Sequence, residues 1–286
     1  MLVIVGYVIV LLSVFGGFAL AGGHFAVIVA PVELLIIGGA ALGAFIVSNN
    51  GKVLKATFKA LPTVFKGSKY SKALYMELMG LLYEILTKVR KEGLMSIERD
   101  VDAPQESPMF NKYPAIAKDP YLVEFITDYL RLMVSGNLNP LEIENLMDNE
   151  IETRHQEGEV PAHAIQRVAE ALPAFGIVAA VMGVVHTMSS VGLPPAELGK
   201  LIGHALVGTF LGVLLSYGFV GPIAGKLEQR VAESTKILEC IKVTLLASLN
   251  GYPPALAVEF GRKVLYSTER PSFAELEQYV KAAIKR

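Results

Sequence analysis

The sequence has no tryptophan, only one cysteine and little charge. Without tryptophan, any aromatic belt at a membrane surface falls to its 11 tyrosines and 13 phenylalanines. The lone Cys240 excludes an intramolecular disulfide framework and, in a helical stretch, is expected as a small buried hydrophobe. Charged residues make up 19% of the 286, against about 25% in soluble proteins. A net charge of −1 offers nucleic acid no overall attraction. Phosphate loops, GxSxG elbows, HExxH and CxxC are all absent, which removes the common motifs of soluble enzymes. His155 and His163 are separated by a glycine and a proline and make a poor metal pair.

What the chain does have is apolar length. Hydrophobic residues reach 52%, with a mean hydropathy of +0.46. Apolar runs cover 2–21, 26–47, about 171–193 and 201–224, the second interrupted only by Glu33. At about 1.5 Å per residue, each run can cross roughly 30 Å of hydrocarbon as a helix. Lipid offers no partner to free backbone groups, so a helix is required there. The "ALAGG" at 19–23 resembles a signal cleavage site. No basic residue precedes it and a second run follows at once, so 2–21 is expected to stay as a span.

Basic residues set the direction. The linker "GGHF" has none, and the linker between runs three and four has only Lys200. Run two is followed by Lys52, Lys55, Lys59, Lys66, Lys69 and Lys72, and run four by Lys226 and Arg230. The positive-inside rule therefore predicts both termini, 48–170 and 225–286, in the cytoplasm. The expected division is 1–48 for spans one and two, 49–168 for a cytoplasmic helical domain, 169–225 for spans three and four, and 226–286 for C-terminal helices.

Within the cytoplasmic portion, apolar residues at 74, 78, 81, 82, 85, 86 and 89 predict an amphipathic helix over 74–95. Glu84 and Lys88 stand in the favourable i,i+4 order on its polar face. Gly93 predicts a break, "SIERD" a new short element, and 103–114 a loop. Helices are expected over 119–136 and 139–158, then from span four to about 249, and twice more after "NGYPP". No stretch carries a strand pattern. The predicted fold class is all-α: a polytopic membrane protein with four transmembrane helices and a helical cytoplasmic domain.

The spans are also poor in reactive groups. Proteins that move ions usually keep an ionisable residue at membrane depth. Spans three and four have none in their central turns, and Glu33 lies near an outer end beside Pro31. If this chain conducts an ion, the titrating group comes from another chain. Ser13, Thr209 and Ser216 are expected to bond their own i−4 carbonyls. His24, His186 and His204 fall near outer ends, where solvation accounts for them. Gly39/Gly43, Gly208/Gly212, Gly221/Gly225 and Ala179/Gly183 are small-residue pairs that let helices approach closely. They serve either packing within the chain or contact with neighbouring copies or a foreign helix. Pro173 and Pro222 each free a carbonyl near the cytoplasmic end of a span. They act either as hinges or as tolerated interruptions.

Four stretches carry a resemblance: "PVELLIIGGAALGAFIVSNNGK" at 31–52, "RKEGLMSIE" at 90–98, "LPAFGIVAAVMG" at 172–183 and "GHALVGTFLGVLLSYGFVGPIA" at 203–224. Together with the order of spans, they make the chain similar along its length to the MotA/PomA family of flagellar stator subunits. The resemblance implies a non-enzymatic, multi-pass subunit of the bacterial inner membrane, without cofactors. Five copies would form a ring around two helices of a MotB-type, single-span, peptidoglycan-binding partner whose aspartate carries the ion. The ring would turn the rotor protein FliG. It further implies rotor contact at Arg90, Glu98 and Glu150. Pro173, Pro222, Thr209, Ala180, Gly176 and Tyr217 would serve the ion pathway and its coupling. Ala180, where sodium-driven relatives carry threonine, implies protons. The rival ExbB/TolQ energisers have one span before the cytoplasmic domain, and this chain has two. A secondary transporter would need a substrate pocket and an inverted repeat, and neither is visible.

Overall fold

The computed structural model describes residues 2–136 and 139–284, and all regular structure in them is helical. The principal helices are α1 (Leu2–Leu20), α2 (Phe25–Ile28), α3 (Pro31–Ser48), α4 (Gly51–Ala60) and α5 (Lys72–Glu92). They continue with α6 (Pro120–Ser135), α7 (Pro140–Met188), α8 (Pro195–Leu249), α9 (Pro254–Val264) and α10 (Phe273–Ile284). Four stretches are long and apolar enough to cross a membrane: α1, Phe25–Ser48, α7 and α8. The chain forms two compact units, Met1–Gly67 with Gly158–Arg230 and Ser68–Glu157 with Val231–Arg286. Residues 49–67 and 158–168 thus cluster with the spans, although hydropathy alone groups them with the cytoplasmic domain.

In the first unit, the second apolar run is not one helix. Val29 is extended, Ala30 also leaves the helical region, and α3 starts afresh at Pro31. The cause is local: a proline ring pushes its predecessor out of the helical region, while Pro itself suits a first helical position. Glu33 then falls in the first turn of α3, where the helix dipole favours an anion. At the other end, Asn50 caps α4 by accepting from the Val53 amide at 3.0 Å.

Sequence reading expects one helix to stop near 158 and a span to begin near 171. Instead, α7 runs unbroken for 49 residues through Pro161 and Pro173. Packing overrides the propensity of "EGEVP": Ala162 is fully buried with Ile165, Val64, Ala224 and Leu227. Glycine sets the contact between α7 and α8. A Cβ on Gly176 would stand 2.8 Å from the Gly208 carbonyl oxygen, and one on Gly212 2.7 Å from that of Leu172. A Cβ on Gly183 would meet Ala205 at 2.7 Å, so these backbones nearly touch. Gly208, Gly212, Ala179 and Gly183 therefore serve packing within the chain. Gly39 and Gly43 face open space.

In the second unit, α5 supplies the centre of the core. Leu78, Leu81, Leu82, Ile85 and Leu86 are buried on the face that the apolar spacing marks. Phe125, Ile126, Tyr129 and Leu130 of α6 pack into the same cluster. Cys240 lies there too, fully buried. The stretch 103–114, read as a loop, contains a helical turn, Pro108–Asn111, because Ser107 caps it by accepting from the Met109 and Phe110 amides. Gly136 ends α6 with φ 66°, a left-handed conformation that glycine adopts freely.

Candidate functional site

The seam between α7 and α8 is built around a missing donor. Pro173 has no amide hydrogen, so the carbonyl four residues earlier, on Ala169, loses its helical partner. Ser216, only 2% exposed, donates its hydroxyl to that carbonyl at 2.6 Å. This corrects the expectation that Ser216 bonds within its own helix. The Gly176/Gly212 contact brings the backbones close enough for a short side chain to cross, and a buried hydroxyl without a partner is costly.

Pro222 is handled differently, within its own helix. Residues Leu214–Val220 widen into a π-helical turn, in which the Gly221 amide reaches back to the Ser216 carbonyl. Such a turn absorbs the break that a proline imposes. From α1, Tyr7 donates to the Phe219 carbonyl at 3.0 Å, and its ring lies 5.0 Å from that of Phe219. A neighbour's hydroxyl thus takes the freed carbonyl only at Pro173; Pro222 frees that of Gly218, and Tyr7 bonds the next one along.

The remaining seam residues take distinct places. Gly176 is buried and acts as a spacer. Ala180 and Thr209 flank the same crossing, half-buried: the Ala180 amide nitrogen is 3.1 Å from a Cβ built on Gly208, and the Thr209 Cα is 3.4 Å from one built on Gly176. Tyr217 points away from the seam and is 75% exposed. No Asp, Glu, Lys or Arg lies in the stretches 171–193 and 201–224; Glu197 and Lys200 stand in the linker between them. No cluster of three or more His, Cys, Asp or Glu side chains fit to hold a metal occurs among the described residues.

In the second unit, Arg90 ends α5 and is exposed, with one guanidinium nitrogen 3.3 Å from the Gly251 carbonyl. Gly93 (φ 86°) turns the chain, and Glu98, also exposed, opens the turn Glu98–Asp102. That turn is tied back by Asp100, which accepts from Lys88 at 2.7 Å and from Ser107 at 2.6 Å. Lys88 therefore does not pair with Glu84, as the i,i+4 spacing predicts. Glu84 instead takes Lys112 at 2.6 Å. Burial pushes the Asp100 carboxyl upward, but the Lys88 and Ser107 donors outweigh it and hold the group below its usual range. Glu150 is half-buried and accepts from Tyr129 at 2.7 Å and Tyr121 at 3.4 Å. The Arg154 guanidinium lies 3.7 Å above the Tyr121 ring. Burial, and then the Glu150 charge, push the Tyr121 phenol up to about 12. Arg90 and Glu98 are thus outward groups, and Glu150 is engaged from within.

Comparison with known proteins places this geometry. Residues 4–93 match the family described as motility protein A N-terminal, and 118–240 match the MotA/TolQ/ExbB proton channel family. Motility protein A of Salmonella typhimurium and that of Escherichia coli are each 57% identical over 282 residues, covering 99% of this chain and 96% of theirs. The chain belongs to the motility protein A family. Chemotaxis protein LafT of Vibrio parahaemolyticus is 39% identical over 96% of both chains. Two solved structures share the motility protein A fold. C. jejuni MotAB superposes with a TM-score of 0.78 at 22% identity, covering 94% of this chain and 98% of that one. The flagellar MotAB stator complex from Bacillus subtilis gives 0.76 at 23%, covering 96% and 98%. Of the motility protein A features here, sequence reasoning missed the roles of Ser216 and Tyr7. A freed carbonyl is visible in the sequence, but the helix register that brings a donor to it is not.

Proposed function

We propose that this chain is a flagellar stator subunit of the bacterial inner membrane, with both termini cytoplasmic. Copies of it, five in a ring, would surround two helices of a MotB-type partner. An aspartate of that single-span, peptidoglycan-binding partner carries the proton. The carrying observation is the α7–α8 seam: two prolines, the carbonyl freed by Pro173 taken up by Ser216, and no carboxylate of its own. A seam of this kind can respond to an acid but cannot supply one.

Protonation neutralises the partner's aspartate and removes its need for polar surroundings. The walls it faces, α7 and α8, are interrupted at Pro173 and Pro222, where the backbone ladder is weakest and tilting is easiest. Arg90 and Glu98 pass the motion to complementary charges on the rotor protein FliG by steering and weak pairing. Ala180 at the seam supports protons over sodium.

Co-purification with a single-span peptidoglycan-binding protein and a swimming assay test the reading together. Pro173→Leu should abolish swimming while the complex still assembles. Normal swimming with this variant overturns the coupling role, and failure to bind any such partner overturns the assignment.

A further inference from the structure

Between Glu33 and Glu77 the chain has no acidic residue but six lysines. Two of them are spoken for: Lys69 pairs with Asp119 at 2.6 Å and Lys72 with Glu275 at 2.7 Å. Lys52, Lys55 and Lys59 lie on α4 and are exposed, and none forms an ion pair among the described residues. Only Asn49 and Asn50 separate α4 from α3, the end of the membrane-length stretch Phe25–Ser48.

α4 is one-sided. Thr57 is 1% exposed, and Val64, in the turn that follows, packs on α7 and α8. At 3.6 residues per turn, the three lysines fall within about 60° of one another, opposite that buried side. Phe58, 60% exposed, lies on the flank, where its ring meets Phe45 of α3 edge-on at 6.3 Å. Arg230 secures the far end by donating to the carbonyls of Lys66 and Gly67. The lysines are therefore held in a fixed place at the end of a span.

We infer that α4 docks the headgroups of anionic phospholipids in the leaflet it borders. Lys52, Lys55 and Lys59 reach the lipid phosphates, and Phe58 seats among the acyl segments just beneath the headgroups. A lysine stem lies along apolar surface while its ammonium reaches the headgroup level. Basic clusters at this position next to a span favour anionic lipid. The positive-inside rule accounts for the sign of the charge. It does not account for one face, an exposed ring beside it, and a lysine-bearing helix with no acid on any side. The inference rests on the spans crossing a bilayer and is independent of ion flow or torque.

The absence of native tryptophan provides the test, since Phe58→Trp makes one fluorescent reporter on α4. The full-length protein is placed in nanodiscs of phosphatidylcholine and phosphatidylglycerol, with bromine on one lipid or the other at equal mole fraction. Brominated phosphatidylglycerol should quench the reporter more strongly, each lysine adding about fivefold to the local enrichment. The excess should vanish when all three lysines become glutamine and persist when they become arginine. If the glutamine variant does not incorporate, raising the salt on the native lysines provides the same test. Equal quenching by both lipids overturns the proposal. So does quenching by neither, which would mean that a second copy or another protein covers α4. Loss of the excess when inorganic phosphate replaces chloride at constant ionic strength would identify a free-anion site and overturn it as well.

Discussion

The Ser216 hydroxyl and the Ala169 carbonyl are 2.6 Å apart, and Pro173 is the reason that carbonyl is available. Ser216→Ala should lower stability by about 1 kcal/mol, in the range for a lost hydrogen bond between membrane helices. In a Pro173→Ala background the Ala169 carbonyl regains its own helical donor, so the same serine change should cost less. Thermal unfolding of the four members of this cycle in detergent decides it. Additive effects would show that serine and proline do not act on one acceptor.

Gly212→Ala should disturb the seam far more than Gly39→Ala. The new methyl at 212 would lie 2.7 Å from the Leu172 carbonyl oxygen, whereas the one at 39 meets nothing within 4 Å. Overpacking of this kind typically costs about 1–3 kcal/mol. Unfolding midpoints of the two variants provide the comparison, and equal midpoints would contradict the close backbone approach.

Asp100 predicts an acid-sensitive contact. Its folded-state pKa is depressed below its unfolded value, so its contribution is present above the unfolded value and is lost as pH falls through the folded one. Stability should therefore fall below about pH 4, with Asp100→Asn less stable at neutral pH but flatter on that acid limb. Unfolding midpoints between neutral and acid pH measure both slopes. A variant as steep as the parent would assign the acid loss to other carboxylates.

Arg90→Glu and Glu150→Ala should fail differently. Arg90→Glu should abolish swimming without lowering the unfolding midpoint, because its side chain is exposed and its bond to Gly251 is long at 3.3 Å. Charge reversal on the rotor should restore movement. Glu150→Ala removes the acceptor of two tyrosines and should cost about 1–3 kcal/mol. Loss of swimming by Glu150→Ala at unchanged stability would instead make Glu150 an outward contact.

The four spans, the α5 face and the breaks at Gly93 and Gly136 were legible because each rests on nearest-neighbour chemistry or on periodicity. Pro173 and Pro222 were legible as interruptions for the same reason. Their hydroxyl neighbours were not, since Ser216 lies 47 residues from its acceptor and Tyr7 212 residues from its own. Lys88 shows the same limit within one helix: a favourable spacing to Glu84 lost to Asp100, which the fold delivers from the following turn. The continuity of α7 was hidden for the opposite reason. Gly158 and Pro161 are true local signals for ending a helix, and burial of Ala162 and Ile165 overrules them.

The interruption at Val29 and Ala30 has a bearing on bilayer thickness. Non-helical residues have no ladder of their own and are tolerated only at the water-facing margin or against protein. Ala30, only 3% exposed, meets the second condition, and beyond it α3 offers 18 residues, about 27 Å of rise. That length nearly equals an average bilayer core, so this segment can stand almost upright. A thicker membrane would have to thin around it, because Pro31 prevents the rod from growing.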